Sequence, residues 1–274
     1  MTSEDLSYRL DGRVATVTGA AGGMGVAICR RLARLGATPV LLDLPGERLT
    51  AVAEGLRSDG IACHAVACDI TNENEVIAAT ETVSHEYGRC DILVNNAGAL
   101  HKAVPLESLD IEIWMSSFAV NTTGAFLCTK HFGAMMLAVR SGNIVNIGST
   151  ATALPTASAG YGVTKTAVLG FTRQVAVEWG PHGIRANIVS PGFILTPLSQ
   201  AFYADPVIRK LRETAIALRR IGTPEDVAAM VSFLASDAAS YVTGQEIRVD
   251  GGFSLTSHIL TQPQRDLYAE GKRW

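Results

Sequence analysis

The sequence has little that would place the protein in a membrane or outside the cell. No uninterrupted apolar run approaches the roughly 20 residues that a membrane-spanning helix needs. The first residues, Met1–Asp5, are acidic and lack the apolar stretch of a secretory signal. Charged residues make up 18% of the 274 residues and hydrophobic ones 47%, which excludes a disordered chain and a coiled coil. We therefore expect a cytoplasmic protein with a packed core.

The sequence also lacks a large excess of one charge sign and cysteines paired at metal-ligand spacing. The 23 basic and 26 acidic residues leave a net charge of −3, without the basic stripe that binds nucleic acid. The five cysteines, Cys29, Cys63, Cys68, Cys90 and Cys128, have no second Cys or His pair at metal-ligand spacing, and the histidines form no ligand pattern. We expect no metal site and neither a nucleic-acid nor a membrane partner, and interpret the cysteines as core residues in a reducing compartment.

Short apolar runs alternate with longer amphipathic segments along nearly the whole chain. The runs are continuous rather than alternating, which is typical of strands buried on both faces. The predicted strands are Val14–Thr18, Pro39–Asp43, Cys63–Ala67, Ile92–Asn95, Asn143–Ile147, Ile184–Val189 and Glu246–Val249. The predicted helices are Met24–Leu35, Glu47–Ser58, Glu73–Tyr87, Thr122–Val139, Thr164–Trp179 and Pro224–Leu234. The pattern predicts a single α/β domain over residues 1–274, a doubly wound parallel sheet of about seven strands with helices on both faces.

A glycine-rich segment, Thr18–Gly25, directly follows the first predicted strand. Glycines there permit a tight turn and let backbone N–H groups approach a pyrophosphate at the positive end of a helix. Asp43 ends the second predicted strand, 24 residues after Gly19. A carboxylate at that place binds a ribose diol and repels a 2′-phosphate, so the sequence predicts NAD(H) rather than NADP(H). A plain strand–helix turn and an ordinary strand-end acid are the alternatives.

Tyr161 and Lys165 lie one turn apart on one face if their segment is helical. Lowering a phenol's pKa from about 10 to about 7 takes about 4 kcal/mol, which a nearby ammonium and a positive nicotinamide ring supply together. The pair is therefore a candidate acid–base centre. The alternative is an ordinary pair on a helix surface.

Together with further motifs in the same order, the sequence resembles the short-chain dehydrogenase/reductase family in its compact form, from about Leu10 to Phe253. The motifs are Thr18–Gly25, Asp69-Ile70, Asn95-Asn96-Ala97-Gly98, Asn121, Ser149, Tyr161 with Lys165, Pro191-Gly192 with Thr196, and Asp250-Gly251-Gly252. The resemblance implies a Rossmann-type sheet, hydride transfer between NAD(H) and a secondary alcohol or ketone, and a homotetramer.

The resemblance also implies roles for four catalytic residues. Tyr161 would be the general acid/base, and Lys165 would lower its pKa and hold the nicotinamide ribose. Ser149 would polarise the substrate oxygen, and Asn121, at a break in its helix, would anchor a water that links Lys165 to solvent. Ser149 precedes Tyr161 by 12 residues, one fewer than is frequent in the family.

Thr150 and Thr152 are alternatives to Ser149, and Asn121 has the alternative of a turn residue. The cofactor-binding residues implied by the resemblance are Gly19, Gly23, Met24, Gly25, Asp43, Asp69, Ile70, Asn96, Ala97, Gly98, Tyr161, Lys165, Pro191, Gly192, Ile194 and Thr196. Within this set Asp69 and Ile70 would frame the adenine, and Asn96 to Gly98 would line the floor of the site. His101 and Lys102 either border the substrate pocket or are solvated loop residues.

Two segments interrupt the alternation of strands and helices. Residues 195–221, which contain Leu198, Phe202 and Tyr203, are predicted to form a substrate lid that excludes water. Their apolar content favours a substrate with a hydrophobic portion, without excluding a polyol. Residues 253–274 form a C-terminal tail that either reaches a neighbouring subunit or frays. The remaining alternatives for the whole protein are an NADPH-dependent ketoacyl or ketone reductase and a non-catalytic dinucleotide-binding scaffold.

Overall fold

The computed structural model describes residues 7–156, 158–197 and 199–260, and these contain seven strands. The strands are β1 (Val14–Thr18), β2 (Thr38–Asp43), β3 (His64–Ala67), β4 (Ile92–Asn95), β5 (Gly142–Ile147), β6 (Ile184–Pro191) and β7 (Glu246–Val249). The α-helices are α1 (Gly23–Arg34), α2 (Glu47–Ser58), α3 (Glu73–Tyr87), α4 (Ile111–Phe118), α5 (Gly124–Val139), α6 (Ala159–Trp179), α7 (Gln200–Tyr203), α8 (Pro206–Ala215), α9 (Pro224–Ala235) and α10 (Phe253–Leu260).

All seven strands are parallel and form one sheet in the order β3-β2-β1-β4-β5-β6-β7. From β1 the chain moves outward to β3, returns to the centre at β4, and then moves outward in the other direction. The predicted doubly wound sheet is therefore confirmed. The reversal between β1 and β4 opens a crevice at the carboxyl ends of these two strands, where folds of this kind bind ligands.

Successive residues of the buried strands face opposite sides of the sheet, so one apolar run supplies two cores. In β2, Leu41 packs into the cluster under α1, α2 and α9, whereas Val40 and Leu42 pack into the cluster under α3, α5 and α6. In β5, Val145 and Ile144 divide in the same way. This explains why the strands read as continuous apolar segments.

Two helix boundaries predicted from the sequence are wrong. The helix predicted to begin at Thr122 belongs to a longer run in which α4, a π-helical segment (Ala119–Thr123) and α5 follow one another without a break. The run begins at Asp110, whose side chain accepts a hydrogen bond from Glu112 N at 2.8 Å and caps α4. Helix α6 begins at Ala159 rather than Thr164, so Tyr161 and Lys165 both lie on it.

The segment predicted as a lid contains the helices α7 and α8. Asp205 caps α8, and Arg212 lies over the rings of Phe193 and Tyr203, with its guanidinium carbon 4.9 and 5.0 Å from the ring centroids. Leu198 and residues 261–274 of the predicted tail lie outside the described residues. Of the five cysteines, four are buried and Cys63 is partly exposed, and all are free thiols.

A chain of buried amides and hydroxyls ties the central strands to the helices that carry the candidate site. Asn95 Nδ2 donates to Thr129 Oγ1 at 3.1 Å and to Asn146 Oδ1 at 2.8 Å. Asn146 Nδ2 donates to Thr172 Oγ1 at 2.8 Å. These four residues link β4 and β5 to α5 and α6, and all four are at least nine-tenths buried. Because buried polar groups are costly when unpaired, the chain favours one relative position of sheet and helices.

Asn146→Ala is expected to lower the free energy of unfolding by about 2–4 kcal/mol, since it removes one of the two hydrogen-bond partners of the Asn95 amide and one of the two of the Thr172 hydroxyl. Urea unfolding monitored by circular dichroism measures the loss. The control is Thr82→Ala, which removes an exposed hydroxyl bonded to Ala78 O, with an expected change within about 0.5 kcal/mol. Equal losses in the two variants would show that the buried chain adds nothing.

Candidate active site

The carboxyl edge of the sheet carries a cleft of about 400 Å³ at the reversal between β1 and β4. Its lining residues are Gly19, Gly22, Gly23, Met24, Gly25, Leu42, Asp43, Leu44, Arg48, Cys68, Asp69, Ile70, Thr71, Asn96, Ala97, Gly98, Ala99, Val120 and Thr196. The structure thus brings together eleven predicted cofactor-binding residues, from the ends of β1, β2, β3 and β4 and from Thr196. The other five predicted cofactor-binding residues, Tyr161, Lys165, Pro191, Gly192 and Ile194, are not part of this lining.

The glycine-rich turn is packed so closely that only its backbone faces the cleft. Gly19 has φ +61°, and a Cβ there would lie 2.8 Å from Ala97 Cα. A Cβ on Gly25 would lie 2.7 Å from Ala20 Cα, and one on Gly23 would lie 2.7 Å from Pro197 Cδ. Side chains are excluded at these positions, and α1 begins at Gly23. The turn therefore fits a pyrophosphate held by backbone N–H groups at a helix N-terminus.

Asp43 ends β2 beside this turn, and its carboxylate is held by two backbone donors. Ala21 N donates to Oδ2 and Leu44 N donates to Oδ1, both at 2.8 Å. Each oxygen keeps a further lone pair for a ligand hydroxyl. Arg48, in the first turn of α2, lines the same cleft. The sequence analysis missed Arg48, which lies five positions after Asp43 and outside the glycine-rich segment Thr18–Gly25.

Asp69 and Ile70 follow β3 and form the neighbouring part of the cleft wall. Asp69 Oδ1 accepts from Thr71 N at 2.9 Å and from Thr71 Oγ1 at 2.8 Å, while Glu75 Oε2 accepts from Asp69 N at 2.8 Å. Ile70 packs against Gly124, where a Cβ would lie 2.7 Å from Ile70 Cγ1. This turn presents a polar and an apolar residue side by side, which suits an adenine ring.

The side chain of Asn96 is used within the protein. Its Nδ2 donates to Thr18 O at 2.9 Å and to Gly19 O at 3.0 Å. Thr18 Oγ1 accepts from Asn96 N and from Ala97 N, both at 3.0 Å. Asn96 therefore holds the glycine-rich turn against the end of β4, and this part of the motif is structural as well as cleft-lining.

Asn121 lies in the π-helical segment and is 2% exposed. Its Oδ1 accepts from Ala99 N at 2.7 Å, and its Nδ2 donates to Ala99 O at 3.0 Å and to Thr164 Oγ1 at 3.1 Å. Both amide hydrogens are used, and one lone pair of Oδ1 remains for a further donor. Asn121 thus connects the segment after β4 to α6, the helix that carries Tyr161.

Lys165 is buried, with 4% of its surface exposed, and its Nζ donates to Ile147 O at 2.8 Å. Desolvation lowers the pKa of Lys165 to about 8. An ammonium has three hydrogens, so up to two remain for further acceptors beside the bond to Ile147. A Cβ on Gly98 would lie 3.4 Å from Lys165 Nζ and 3.3 Å from Asn121 Oδ1. A side chain at position 98 would therefore crowd the ammonium of Lys165 and the amide oxygen of Asn121.

Tyr161 lies one turn before Lys165, with the Lys165 Nζ 5.8 Å from the centre of the phenol ring. Burial raises the pKa of Tyr161, and a hydrogen bond with Ser149 opposes this rise. Desolvation disfavours the phenolate, and this outweighs its stabilisation by one hydroxyl. The lowering expected from the sequence needs a positively charged nicotinamide ring as well as Lys165, so it stays a prediction. The Tyr161 phenol and the Ser149 hydroxyl lie close to each other.

Ser149 is held by the turn that follows β5, where its Oγ accepts from Ala151 N at 3.1 Å. Thr152, one alternative to Ser149, contacts Ser149 O at 2.9 Å and Glu246 Oε1 at 2.5 Å. Its hydroxyl is therefore engaged away from Tyr161. Sequence reasoning missed Glu246, because a carboxylate in the last strand matches no motif.

The segment after β6 reaches the cleft at one residue. Thr196 lines the cleft above Gly23, where a Cβ would lie 3.3 Å from Thr196 Cβ. Gly192 N donates to Val249 O at 3.0 Å, and Ile194 forms a bridge with Gly222. His101 Nε2 lies 3.3 Å from Ser116 Oγ and is partly exposed, whereas Lys102 is exposed.

Across residues 7–156, 158–197 and 199–260, no helix has both the length and the apolarity to cross a membrane. Within the same part of the chain, His, Cys, Asp and Glu form no group of three or more that could hold a metal ion.

The chain is similar to several known proteins. A family model described as enoyl-(acyl carrier protein) reductase matches residues 19–254. D-threitol dehydrogenase of Mycolicibacterium smegmatis is 39% identical over 257 residues, which cover 92% of this chain and 97% of that protein. Cis-4-hydroxycyclohexanecarboxylate dehydrogenase of Sinomonas cyclohexanicum is 41% identical, covering 88% of this chain and 96% of that protein.

A solved structure shows the same architecture with a ligand. The crystal structure of a gluconate 5-dehydrogenase from Burkholderia cenocepacia, in complex with NADP and tartrate, has a TM-score of 0.86 and 33% identity, covering 91% of this chain and 98% of that one. Both curated relatives and this structure match almost their full length. The chain belongs to the short-chain dehydrogenase/reductase family of oxidoreductases.

Proposed function

We propose that the protein is an NAD(H)-dependent dehydrogenase of secondary alcohols, with the corresponding ketone reduction as its reverse reaction. Family membership makes it an oxidoreductase that binds a nicotinamide dinucleotide. The observation that carries the proposal is that Tyr161 lies one turn before the buried Lys165, whose Nζ is 5.8 Å from the centre of the phenol ring, with Ser149 close to the phenol. When bound, the dinucleotide supplies the hydride acceptor or donor.

In this proposal the protein moves a proton and orients the substrate. Tyr161 accepts the hydroxyl proton of the alcohol during oxidation and returns it to the carbonyl oxygen during reduction. Ser149 donates a hydrogen bond to the same substrate oxygen. Lys165 holds ribose hydroxyls and stabilises the phenolate of Tyr161, and Asn121 accepts a hydrogen bond from a water on the path from Lys165 to solvent.

The cleft residues would bind the dinucleotide along the carboxyl edge of the sheet. Gly19, Gly23, Met24 and Gly25 would hold the pyrophosphate, and the remaining predicted set would enclose the adenine and the nicotinamide. This second group consists of Asp43, Asp69, Ile70, Asn96, Ala97, Gly98, Pro191, Gly192, Ile194 and Thr196. The support is that all of these except Pro191, Gly192 and Ile194 line one cleft.

The substrate class is proposed as a hydroxyl compound with an apolar portion or a polyol. The two curated relatives are named for a polyol and for a hydroxycyclohexane carboxylate. Residues 195–221, with the exposed Phe202 on α7, would cover the substrate and exclude water. We also propose that residues 1–274 form a single domain, in which residues 253–274 are the C-terminal tail.

We also propose a homotetramer in the cytoplasm. Large apolar side chains are exposed on three neighbouring helices, among them Met115 on α4, Phe126 on α5 and Val177 on α6. An apolar surface spread over adjacent helices is what a subunit contact needs. Free thiols at all five cysteines support a reducing compartment. The small-molecule substrate is then the main partner besides the other subunits.

One observation favours a second candidate, an NADPH-dependent ketoacyl or ketone reductase. Arg48 lines the cleft together with Asp43, and a guanidinium is the usual partner of a 2′-phosphate. Asp43 is fixed by two backbone bonds directly at the turn, and for this reason we assign NAD(H). A non-catalytic scaffold has no comparable observation in its favour, since Tyr161, Lys165, Ser149 and Asn121 all lie around one place.

Tyr161→Phe is expected to lower kcat by about 10²–10⁴-fold, because it removes the proton-transferring hydroxyl and keeps the ring. NADH affinity, measured by fluorescence titration, should change by less than about twofold. Tyr241→Phe, at an exposed tyrosine, is the control and should retain full turnover. Unchanged turnover in Tyr161→Phe would remove Tyr161 from the mechanism.

Cofactor choice is tested by Asp43→Ala and Arg48→Ala, with kcat/KM measured for NAD and NADP. Asp43→Ala should reduce the preference for NAD by about tenfold or more, since one charge-assisted contact is worth that factor. Arg48→Ala should lower only the residual activity with NADP. A wild-type enzyme that is faster with NADP(H) contradicts the assignment and supports the second candidate.

Lys165→Met is expected to abolish turnover and to stabilise the fold below pH 8. The pKa of Lys165 is lowered from 10.5 to about 8 on folding, so the unfolded chain binds more protons between these values. Stability of the wild type therefore rises with pH across this window, and below it the buried charge costs at most about 3 kcal/mol. The variant's gain should thus be about 1–3 kcal/mol at pH 7 and vanish near pH 10.5.

Urea unfolding of the wild type and of Lys165→Met at pH 7 and pH 10.5 measures this difference. Lys130→Met is the matched control, because Lys130 is exposed and its Nζ bonds Glu73 Oε1 at 2.7 Å. It should show no stabilisation at either pH. A destabilised Lys165→Met at pH 7 would show that the bond to Ile147 O outweighs the desolvation of the ammonium.

A further inference from the structure

A carboxylate outside the predicted catalytic set lies between two segments that border the site. Glu246 is the first residue of β7, and its side chain is 11% exposed. Its Oε1 accepts from Thr152 Oγ1 at 2.5 Å and from Ser190 Oγ at 2.7 Å. Its Oε2 lies 3.5 Å from Arg248 Nη2. One oxygen thus receives two hydroxyl groups from different parts of the chain.

The first hydroxyl belongs to the turn that holds Ser149. Thr152 N donates to Ser149 O at 3.0 Å, and Thr152 Oγ1 also lies 2.9 Å from that oxygen. A hydroxyl has one hydrogen to donate. The carboxylate of Glu246 is both the nearer and, because it is charged, the stronger acceptor, so Thr152 Oγ1 donates to Glu246. Glu246 therefore fixes the side chain of Thr152, which closes the turn directly after Ser149.

The second hydroxyl belongs to the end of β6. Ser190 is fully buried and directly precedes Pro191 and Gly192. A Cβ on Gly148 would lie 2.5 Å from Ser190 Oγ, so this hydroxyl touches the residue before Ser149. Of the two donors to Glu246, Ser190 Oγ thus lies next to Gly148 and Thr152 Oγ1 next to Ser149 O.

A nearly buried carboxylate is costly unless hydrogen bonds compensate it, and a strand accommodates an apolar residue at lower cost. Here the charge-assisted hydrogen bonds from Thr152 and Ser190 compensate the carboxylate of Glu246, and they connect the turn that holds Ser149 to the end of β6. We propose that Glu246 is a positioning residue that sets the direction of Ser149 Oγ towards the Tyr161 hydroxyl. This inference rests on the proposed function of Ser149 and Tyr161, and it adds a residue that no motif of the family resemblance contains.

The test compares Glu246→Leu, Glu246→Gln, Thr152→Val and the double variant Glu246→Leu/Thr152→Val. Misplacing a catalytic hydroxyl by about 1 Å costs up to about 100-fold in rate, so Glu246→Leu should lower kcat by about tenfold or more. KM for substrate and NADH affinity should change by less than about threefold. Glu246→Gln keeps an oxygen acceptor of the same shape and should restore at least about half of the wild-type kcat.

The double variant distinguishes an effect of Glu246 that acts through Thr152 from an effect on kcat that does not involve Thr152. If Glu246 acts through Thr152, adding Glu246→Leu to Thr152→Val should lower kcat by a further factor of about two or less. The hydrogen bond between Thr152 and Glu246 is already lost in Thr152→Val. The inference would be overturned if the loss of kcat in the double variant equalled the product of the losses in the two single variants. A wild-type kcat in Glu246→Leu would overturn it as well. Should Glu246→Leu fail to fold, Thr152→Val decides alone: a tenfold lower kcat at unchanged KM supports the inference, and an unchanged kcat overturns it.

Asp91→Leu is the matched control for loss of a buried carboxylate. Asp91 is 8% exposed, accepts from Val14 N at 2.8 Å, and precedes β4 at the amino edge of the sheet, away from the cleft. It should lower stability and keep kcat. A fall in kcat equal to that of Glu246→Leu would show that the effect is one of stability, and would overturn the inference.

Crystal structures of the wild type and of Glu246→Leu give a readout that does not depend on turnover. A displacement of Ser149 Oγ relative to Tyr161 by about 1 Å or more supports positioning, on the scale at which rates respond, and an unmoved Ser149 overturns it. If the wild type turns over no alcohol or ketone with either dinucleotide, the proposed function fails. The position of Ser149 in the two structures then still decides the role of Glu246.

Discussion

One cluster of hydrogen bonds between side chains and backbone joins the two halves of the sheet at its carboxyl edge, and the cleft depends on it. Thr18 at the end of β1 accepts from the backbone of Asn96 and Ala97 after β4, while Asn96 returns two bonds to Thr18 and Gly19. Because the winding direction reverses here, the neighbouring crossovers leave in opposite directions and cannot close the space between them. These bonds hold the glycine-rich turn at the floor of that space.

The site contains a group that the fold must accommodate at a cost. Lys165 is buried with its bond to Ile147 O, and its desolvation lowers the pKa of the ammonium to about 8. Burial also raises the pKa of Tyr161. Both shifts disfavour the charged forms of these side chains. Proteins keep such unfavourable groups where function needs them, at the expense of stability.

Carboxylates perform two different tasks around the cleft. Asp43 is held by backbone N–H groups and faces the cleft, which leaves lone pairs for a ligand. Glu246 faces inward and receives two hydroxyl groups. The first arrangement suits recognition, since the bound partner comes from outside. The second suits positioning, since both partners belong to the protein and restrain the segments that they come from.

Local sequence determined most of the fold and the identity of the candidate site. The apolar runs predicted all seven strands within two residues at each end, because strands buried on both faces leave a continuous apolar signal. The glycine-rich turn and the strand-end Asp43 could also be predicted from the sequence, because each is recognised from its immediate neighbours in the chain. The start of the helical run at Asp110 was missed, although its capping side chain was a readable signal.

Tertiary structure decided what depends on distant residues. It placed Arg48 in the same cleft as Asp43, paired the amide nitrogen of Asn96 within the protein, buried Tyr161 so that its pKa rises, and set Glu246 between Thr152 and Ser190. Glu246 is 94 positions from Thr152 and 56 from Ser190. Residue order specifies which groups are available, but burial and hydrogen bonding between such distant groups arise only when the strands lie side by side.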